Sequence, residues 1–264
     1  MALLATLLLL TGFAAVWRLG RFTLHRERLA APLALLCLGF TLAWLYFFQF
    51  TAFGLDGIRW DDFVFFERLP AFLPILLILA LCWQHPGRSI GRPVIGMLIV
   101  IFAGYSLLEV SGPAFMGLYM HGLDDTIPPA EQAPEVIQST GWTCGPAALA
   151  WAMQAKGMRV SEKHVARLTA TTPFHGTPAR GELRAAHKLG IPAYIRRSLD
   201  WEELAALPLP AVITCRLSGV VMHSVALLAV ERDRVTIGDP MLGKTEYSRE
   251  EFLERWLRDA LVLP

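Results

Sequence analysis

Hydrophobic positions are distributed in two ways along this 264-residue chain. Up to about residue 126 they come in long blocks; beyond about residue 136 they come in short runs among charged positions. Residues 1–17 carry no charged side chain. Residues 29–55 are 27 positions without Asp, Glu, Lys or Arg, residues 69–87 give 19 more and residues 93–108 another 16. The last block continues past Glu109 as a small-residue segment to Leu123. A bilayer span needs about 20 apolar residues, so 29–55 is ample for a tilted helix. The pattern predicts a multi-pass α-helical membrane region of about four spans over residues 1–126. The first block lacks the basic start and the cleavage site of a signal peptide. Glu109, near the end of the fourth block, is expected to snorkel to the interface.

Residues 127–136, with Ile127-Pro128-Pro129 and Gln132-Ala133-Pro134, read as a stiff Pro-rich linker. From residue 137 to 264 the pattern is that of one folded domain, helices first and strands after. Cys144-Gly145-Pro146 opens a run of helix formers, with Pro146 suited to a first turn and Gly157 to the position after the last. Ser161 caps a helix to about Thr169. Thr177-Pro178 starts another that Gly190 ends, and Asp200 caps a short one. Residues 211–216, 221–230 and 234–238, rich in Val and Ile, read as strands. Ser248 with Glu251 is a capping-box pattern for a final helix.

Composition sharpens the division. Apolar residues make up 54% of the chain and charged ones 18%, below the roughly 25% of soluble proteins. Residues 1–126 hold 8 basic and 8 acidic side chains, residues 127–264 hold 16 and 15. A net charge of +1 without a basic face argues against nucleic acid as a partner. The arginines also orient the membrane region. Arg18, Arg21, Arg26 and Arg28 fall in the first loop and Arg88 and Arg92 in the third, whereas residues 111–136 contain no Lys or Arg. The second loop, 56–68, sets two arginines against four acids and interleaves Trp60, Phe63, Phe65 and Phe66, as an interfacial aromatic belt would. Basic loops stay in the cytoplasm, so the C-terminal domain is expected on the extracytoplasmic side of a bacterial inner membrane.

Four cysteines are too few for a disulfide scaffold, and none has the spacing of a metal or redox pair. Cys37, Cys82 and Cys215 lie in apolar runs and read as small hydrophobes. Cys144 alone sits at a predicted helix N-terminus, where exposed N–H groups and the helix dipole favour a thiolate. The tight link Glu231-Arg232-Asp233 between two strands sets a register in which paired residue numbers sum to about 464. Asp239 then falls opposite residue 225, one diagonal step from His223. A histidine oriented by a carboxylate on the next strand is what a thiol nucleophile needs beside it. His164, His175 and His187 have no such partner in the pattern and read as surface residues.

These residues carry a resemblance. Gln138 followed six later by Cys144-Gly145, then Met222-His223-Ser224-Val225, then Gly238-Asp239-Pro240 and Gly243, resembles the C39 family of papain-like cysteine peptidases. That family is best known as the leader-cleaving domains of bacteriocin-exporting ABC transporters. Glu251-Phe252, Trp256 and Leu261 resemble its closing helix and strand. The resemblance covers about residues 136–264 and implies an α+β papain-like cysteine peptidase domain. It implies Cys144 as nucleophile, His223 as base, Asp239 as its orienter and Gln138 as oxyanion donor, with no cofactor and no metal. Thr143 stands where the family often has an acid, and no GxxxxGK[ST] nucleotide-binding motif occurs in the chain. The expectation is a membrane-anchored cysteine endopeptidase acting on a peptide or protein substrate, with the lipid bilayer and a separate export machinery as partners. Two alternatives stand beside it: a non-catalytic C39-like peptide-binding module, and a cysteine amidase acting on cell-wall peptides.

Overall fold

Long runs rich in Leu and Ala, strong helix formers, and without strand alternation favour helices. The computed structural model describes residues 2–24, 27–50, 69–84, 92–121, 135–173, 175–219 and 221–264. Within these the first part of the chain is helical: α1 (Ala2–Leu24), α2 (Glu27–Phe50), α3 (Leu69–Gln84) and α4 (Arg92–His121). The chain divides into two compact units, the first made of α1 to α3 and most of α4. In it Ala5, Leu9, Phe72 and Val110 form a small core. The Phe72 ring meets Phe102 and Tyr105 edge-on at centroid distances of 5.8 and 6.0 Å. Cys37 packs with Leu77 and Leu81, as a small hydrophobe does. Large apolar side chains cover the outer faces, Leu35 at 70% exposure and Val100 at 72% among them.

The expectation of about four spans needs correction. Among the described residues one helix, Pro93–Phe115, is long and apolar enough to cross a membrane. Leu3–Leu19, Pro32–Ala43 and Phe72–Trp83 are shorter apolar helices of 10–17 residues. At ~1.5 Å per residue these rise ~15–26 Å, short of a ~30 Å hydrocarbon core. Glu109 also departs from expectation: it is buried, not snorkelling. The second loop, the Arg88 side of the third, and residues 127–134 of the linker lie outside the described residues.

The second unit places one helix against a sheet. Gly145 through Met153 of α5 (Cys144–Ala155) are all buried. A helix apolar all round belongs inside a core, and its alanines 147, 148, 150 and 152 allow close approach. Two helices flank it, α6 (Glu162–Leu168), capped by Ser161, and α7 (Ala179–Lys188), which follows Pro178. The chain continues through β1 (Tyr194–Arg196), α8 (Trp201–Ala205), β2 (Ala211–Ser218), β3 (Val221–Val230), β4 (Arg234–Asp239), β5 (Gly243–Ser248), α9 (Arg249–Arg255) and β6 (Ala260–Val262). Among the described residues these strands make one antiparallel sheet in the order β1-β6-β2-β3-β4-β5.

Alternation along β2 and β3 separates two cores. Val212, Ala226 and Leu261 pack with α5. Ala211, Ile213, Cys215, Val225 and Leu227 pack with Trp201, Leu204, Phe252 and Trp256 on the other side. Both α8 and α9 open with capping boxes, Asp200 with Glu203 and Ser248 with Glu251. Gly238 lets α5 lie close, since a methyl there would sit 2.6 Å from atoms of the Trp151 ring.

Candidate active site

The register expected from the hairpin holds where it matters. Ala226 pairs with Gly238 and Leu227 with Ile237, and an irregularity beyond Leu227 shifts the pairing by one towards the turn. Continued to the end of β4, the ladder sets Asp239 across from Val225, so His223 and Asp239 share a face one diagonal step apart. Their side chains meet: His223 Nε2 lies 2.8 Å from Asp239 Oδ1, with each residue 4% exposed. A carboxylate can only accept, so Nε2 carries the hydrogen and Nδ1 is left for the sulfur. Asp239 Oδ1 also accepts from the Met241 N–H at 2.8 Å, which pins the carboxylate at the turn.

Cys144 reaches the same imidazole from the first residue of α5. Thr143 takes the N-cap position but makes no side-chain cap. Its hydroxyl is bound instead to the Thr140 hydroxyl at 3.0 Å and donates to the Thr140 carbonyl at 3.2 Å. The first N–H groups of α5 therefore stay available to the sulfur and to whatever charge develops beside it. Burial raises the Cys144 thiol, but hydrogen bonds from His223 and from the Ser224 and Gly145 N–H groups outweigh it, and the thiol lies below its ordinary value. Burial works against the imidazolium too, yet the bonds to Asp239 and Cys144 lift His223 to about 9. Asp239, although burial raises it, is held below the usual carboxylate range by His223 and by the N–H groups of Met241 and Leu242. All three shifts run in the direction that favours a thiolate–imidazolium pair.

Gln138 is brought to this cluster by its backbone. Its N–H donates to the Pro240 carbonyl at 2.9 Å, directly after Asp239. The side-chain amide gives one N–H to the Thr140 carbonyl at 2.8 Å, leaving its second hydrogen for another acceptor. Glu162 holds the next residue, accepting from the Ser139 N–H at 2.8 Å and from its hydroxyl at 3.1 Å. All four residues singled out by the sequence thus belong to one neighbourhood.

Other expectations fare variously. Cys215 is buried on β2, opposite His223 in the β2–β3 ladder, and burial with Asp259 and Asp239 pushes its thiol up to about 12. His175 is exposed, while His164 and His187 are half-buried and hydrogen-bonded to Arg167 and to the Ala193 carbonyl. Sequence reasoning missed Glu162 and Glu182, two buried acids close to these motifs. Each sits in the first turn of a helix, where a glutamate reads as solvent-exposed compensation of the dipole. No local pattern distinguishes them.

A family model described as the peptidase C39 family matches residues 132–264. The chain belongs to the peptidase C39 family. Relatives share this same part. An uncharacterised protein of Methanothermobacter marburgensis is 32% identical over 128 residues, which is 48% of this chain and 86% of that protein. A probable functional amyloid protease of Pseudomonas fluorescens, FapD, is 31% identical over 131 residues, 46% of this chain and 56% of that one. The crystal structure of the peptidase domain of Streptococcus ComA, a bifunctional ABC transporter involved in quorum sensing, aligns with 49% of this chain and 97% of that domain, at 26% identity and a TM-score of 0.43. Membership of the C39 family supports a cysteine peptidase of the hydrolase class for the C-terminal unit.

Proposed function

We propose that the chain is a membrane-anchored cysteine endopeptidase that cleaves a peptide or protein substrate by Cys-His-Asp thiol catalysis. One observation carries this reading: His223, fixed by Asp239 at 2.8 Å, shares its site with Cys144, the first residue of α5, and its bond to the sulfur draws the thiol down. The Cys144 thiolate attacks the scissile carbonyl carbon. The oxyanion that forms is held by the Cys144 backbone N–H and by the second N–H of the Gln138 amide. His223 then gives the proton on Nδ1 to the leaving amine, and an acyl-thioester remains on Cys144. Water, deprotonated by His223, hydrolyses the thioester, releases the carboxylate and returns the sulfur as thiolate. Asp239 stays ionised throughout and holds the ring in the tautomer this requires.

Exposed apolar residues beside the proposed catalytic ones in sequence favour a peptide substrate. Ile137, Met222, Met241 and Leu242, each next to or near a proposed catalytic residue in sequence, are exposed apolar side chains. Apolar side chains so exposed suit the side chains of a peptide better than a sugar-linked wall fragment. The non-catalytic alternative has no use for a lowered thiol with an oriented histidine.

The anchor is supported by the apolar outer faces of α1, α2 and α4 and by the candidate span Pro93–Phe115. That span alone carries the orientation: Arg88 and Arg92 precede it, and no Lys or Arg follows it up to residue 136. The positive-inside rule then puts the peptidase unit on the extracytoplasmic side, where the substrate arrives after translocation by a separate machinery. A peptidyl acyloxymethyl ketone tests the catalytic reading. It should attach to Cys144 in the wild-type chain and much more slowly in H223A. Equal attachment in H223A would mean that the imidazole does not activate the thiol.

A further inference from the structure

One buried acid in the second unit has no part in the scheme above. Glu182, in the first turn of α7, is 4% exposed, and its Oε1 accepts from the Ser224 hydroxyl at 3.0 Å. The same oxygen closes on α5: a methyl at Gly145 would lie 2.5 Å from it. Ser224 follows His223 on β3, and Gly145 follows Cys144. These are the two residues whose N–H groups bond to the Cys144 sulfur. Glu182 therefore holds the side chain of one of these residues and lies close against the other.

Among the described residues no counter-charge acts on it. The charged groups that bear on Glu182 are Cys144 and Asp259, both negative when ionised. Of the titratable groups on α7 and the elements around it, Arg184 donates to the Leu168 carbonyl, His187 meets the Ala193 carbonyl, Glu162 of α6 takes Ser139, Arg167 meets His164 Nδ1, Arg196 of β1 pairs with Glu203, and His223 faces Asp239 and Cys144. A carboxyl so placed favours its protonated form.

We propose that Glu182 is a positioning residue for Cys144, whose neutral carboxyl ties Ser224 to the start of α5, fixes the two N–H donors on the sulfur, and disfavours the thiolate when it ionises. This rests on Cys144 being the nucleophile. Burial lifts Glu182 to about 8; the Ser224 hydrogen bond opposes the rise, and Cys144 and Asp259 add to it. Coupling between two sites is reciprocal. If the thiolate makes Glu182 harder to ionise, an ionised Glu182 makes the thiolate harder to form by the same energy. The site then has an alkaline limit of its own, beside the one His223 would set.

The test is the pH dependence of Cys144 alkylation by iodoacetamide in the full chain in detergent micelles, followed on the Cys144 peptide by mass spectrometry. The wild-type rate rises on the acid side and then shows an inflection close to 8, where Glu182 ionises. E182Q cannot ionise and loses that inflection. S224A removes the bond that lowers Glu182, so the inflection moves to higher pH. E182L, which can neither ionise nor accept from Ser224, slows labelling at neutral pH about tenfold, and E182Q recovers most of that loss. An inflection near 8 persisting in E182Q, or E182L labelling as fast as E182Q, overturns the proposal. Should E182L fail to fold, S224A decides, since an unmoved inflection contradicts it. If wild-type Cys144 labels no faster than Cys215 at neutral pH, the nucleophile assignment itself fails, and that result is separate from a missing Glu182 effect.

Discussion

Two thiols within one unit illustrate what a side chain's surroundings decide. Cys144 and Cys215 share chemistry and both lie close to His223, yet burial and two acids push Cys215 to about 12 while hydrogen bonds draw Cys144 down. Iodoacetamide at neutral pH should therefore alkylate Cys144 at least about a hundredfold faster than Cys215 in the folded chain. The Gln138 amide supplies one donor to the proposed oxyanion, and losing such a donor costs about 10²–10³ in kcat. Q138A should slow turnover by that factor while leaving the alkylation rate of Cys144 close to wild type. A parallel collapse of both would make Gln138 structural. At this scale the sequence was informative: the approach of His223 to Asp239 was legible from the hairpin register, Cys144 from its place at a helix start, and Gln138 from the resemblance alone. Glu162 and Glu182 were not, because burial of a helix-terminal glutamate depends on which helix packs over it, and one chain's pattern does not encode that.

The elements were legible where a cap or an apolar run marks them. Ser161, Asp200 and Ser248 each cap the helix they precede. β2, β3 and β4 follow the Val- and Ile-rich runs. β1 and β5 escaped, because both are edge strands with polar or charged side chains, the composition edges adopt to avoid further pairing. Two substitutions test how these elements hold the site. In the first turn of α7 a methyl at Gly181 would overlap the Thr169 carbonyl oxygen, a backbone atom that cannot move aside. G181A should destabilise the second unit by about 1–3 kcal/mol, read as earlier hydrogen exchange in α6 and α7. The second concerns pH. A carboxyl raised to about 8 from an ordinary 4.5 binds its proton more tightly in the folded chain. Its stabilising contribution is fully present below about 4.5 and is lost as pH rises through about 8. Wild-type stability should thus fall across that window more steeply than that of E182Q, as measured by hydrogen exchange in α5 and α7.

For the molecule as a whole, hydropathy separated a charge-poor N-terminal part from a C-terminal peptidase unit but overcounted spans. Apolar composition reports burial in lipid and burial against neighbouring helices alike. Ala5, Leu9 and Phe72 lie in a protein core, whereas Leu35 and Val100 face outward. The orientation inferred from Arg88 and Arg92 predicts that alkaline phosphatase fused after Pro264 is active and a cytoplasm-only fluorescent protein there is dark. The reverse pattern would place the peptidase unit on the cytoplasmic side, where precursors are met before export. The central claim, that Cys144 with His223 and Asp239 hydrolyses peptide bonds, is tested most directly by turnover. The full chain in detergent is incubated with a complex peptide mixture, and newly formed termini are mapped by mass spectrometry beside C144A and H223A. The account predicts a consistent set of new termini with the wild-type chain and none with either variant. The same termini appearing with C144A would contradict it.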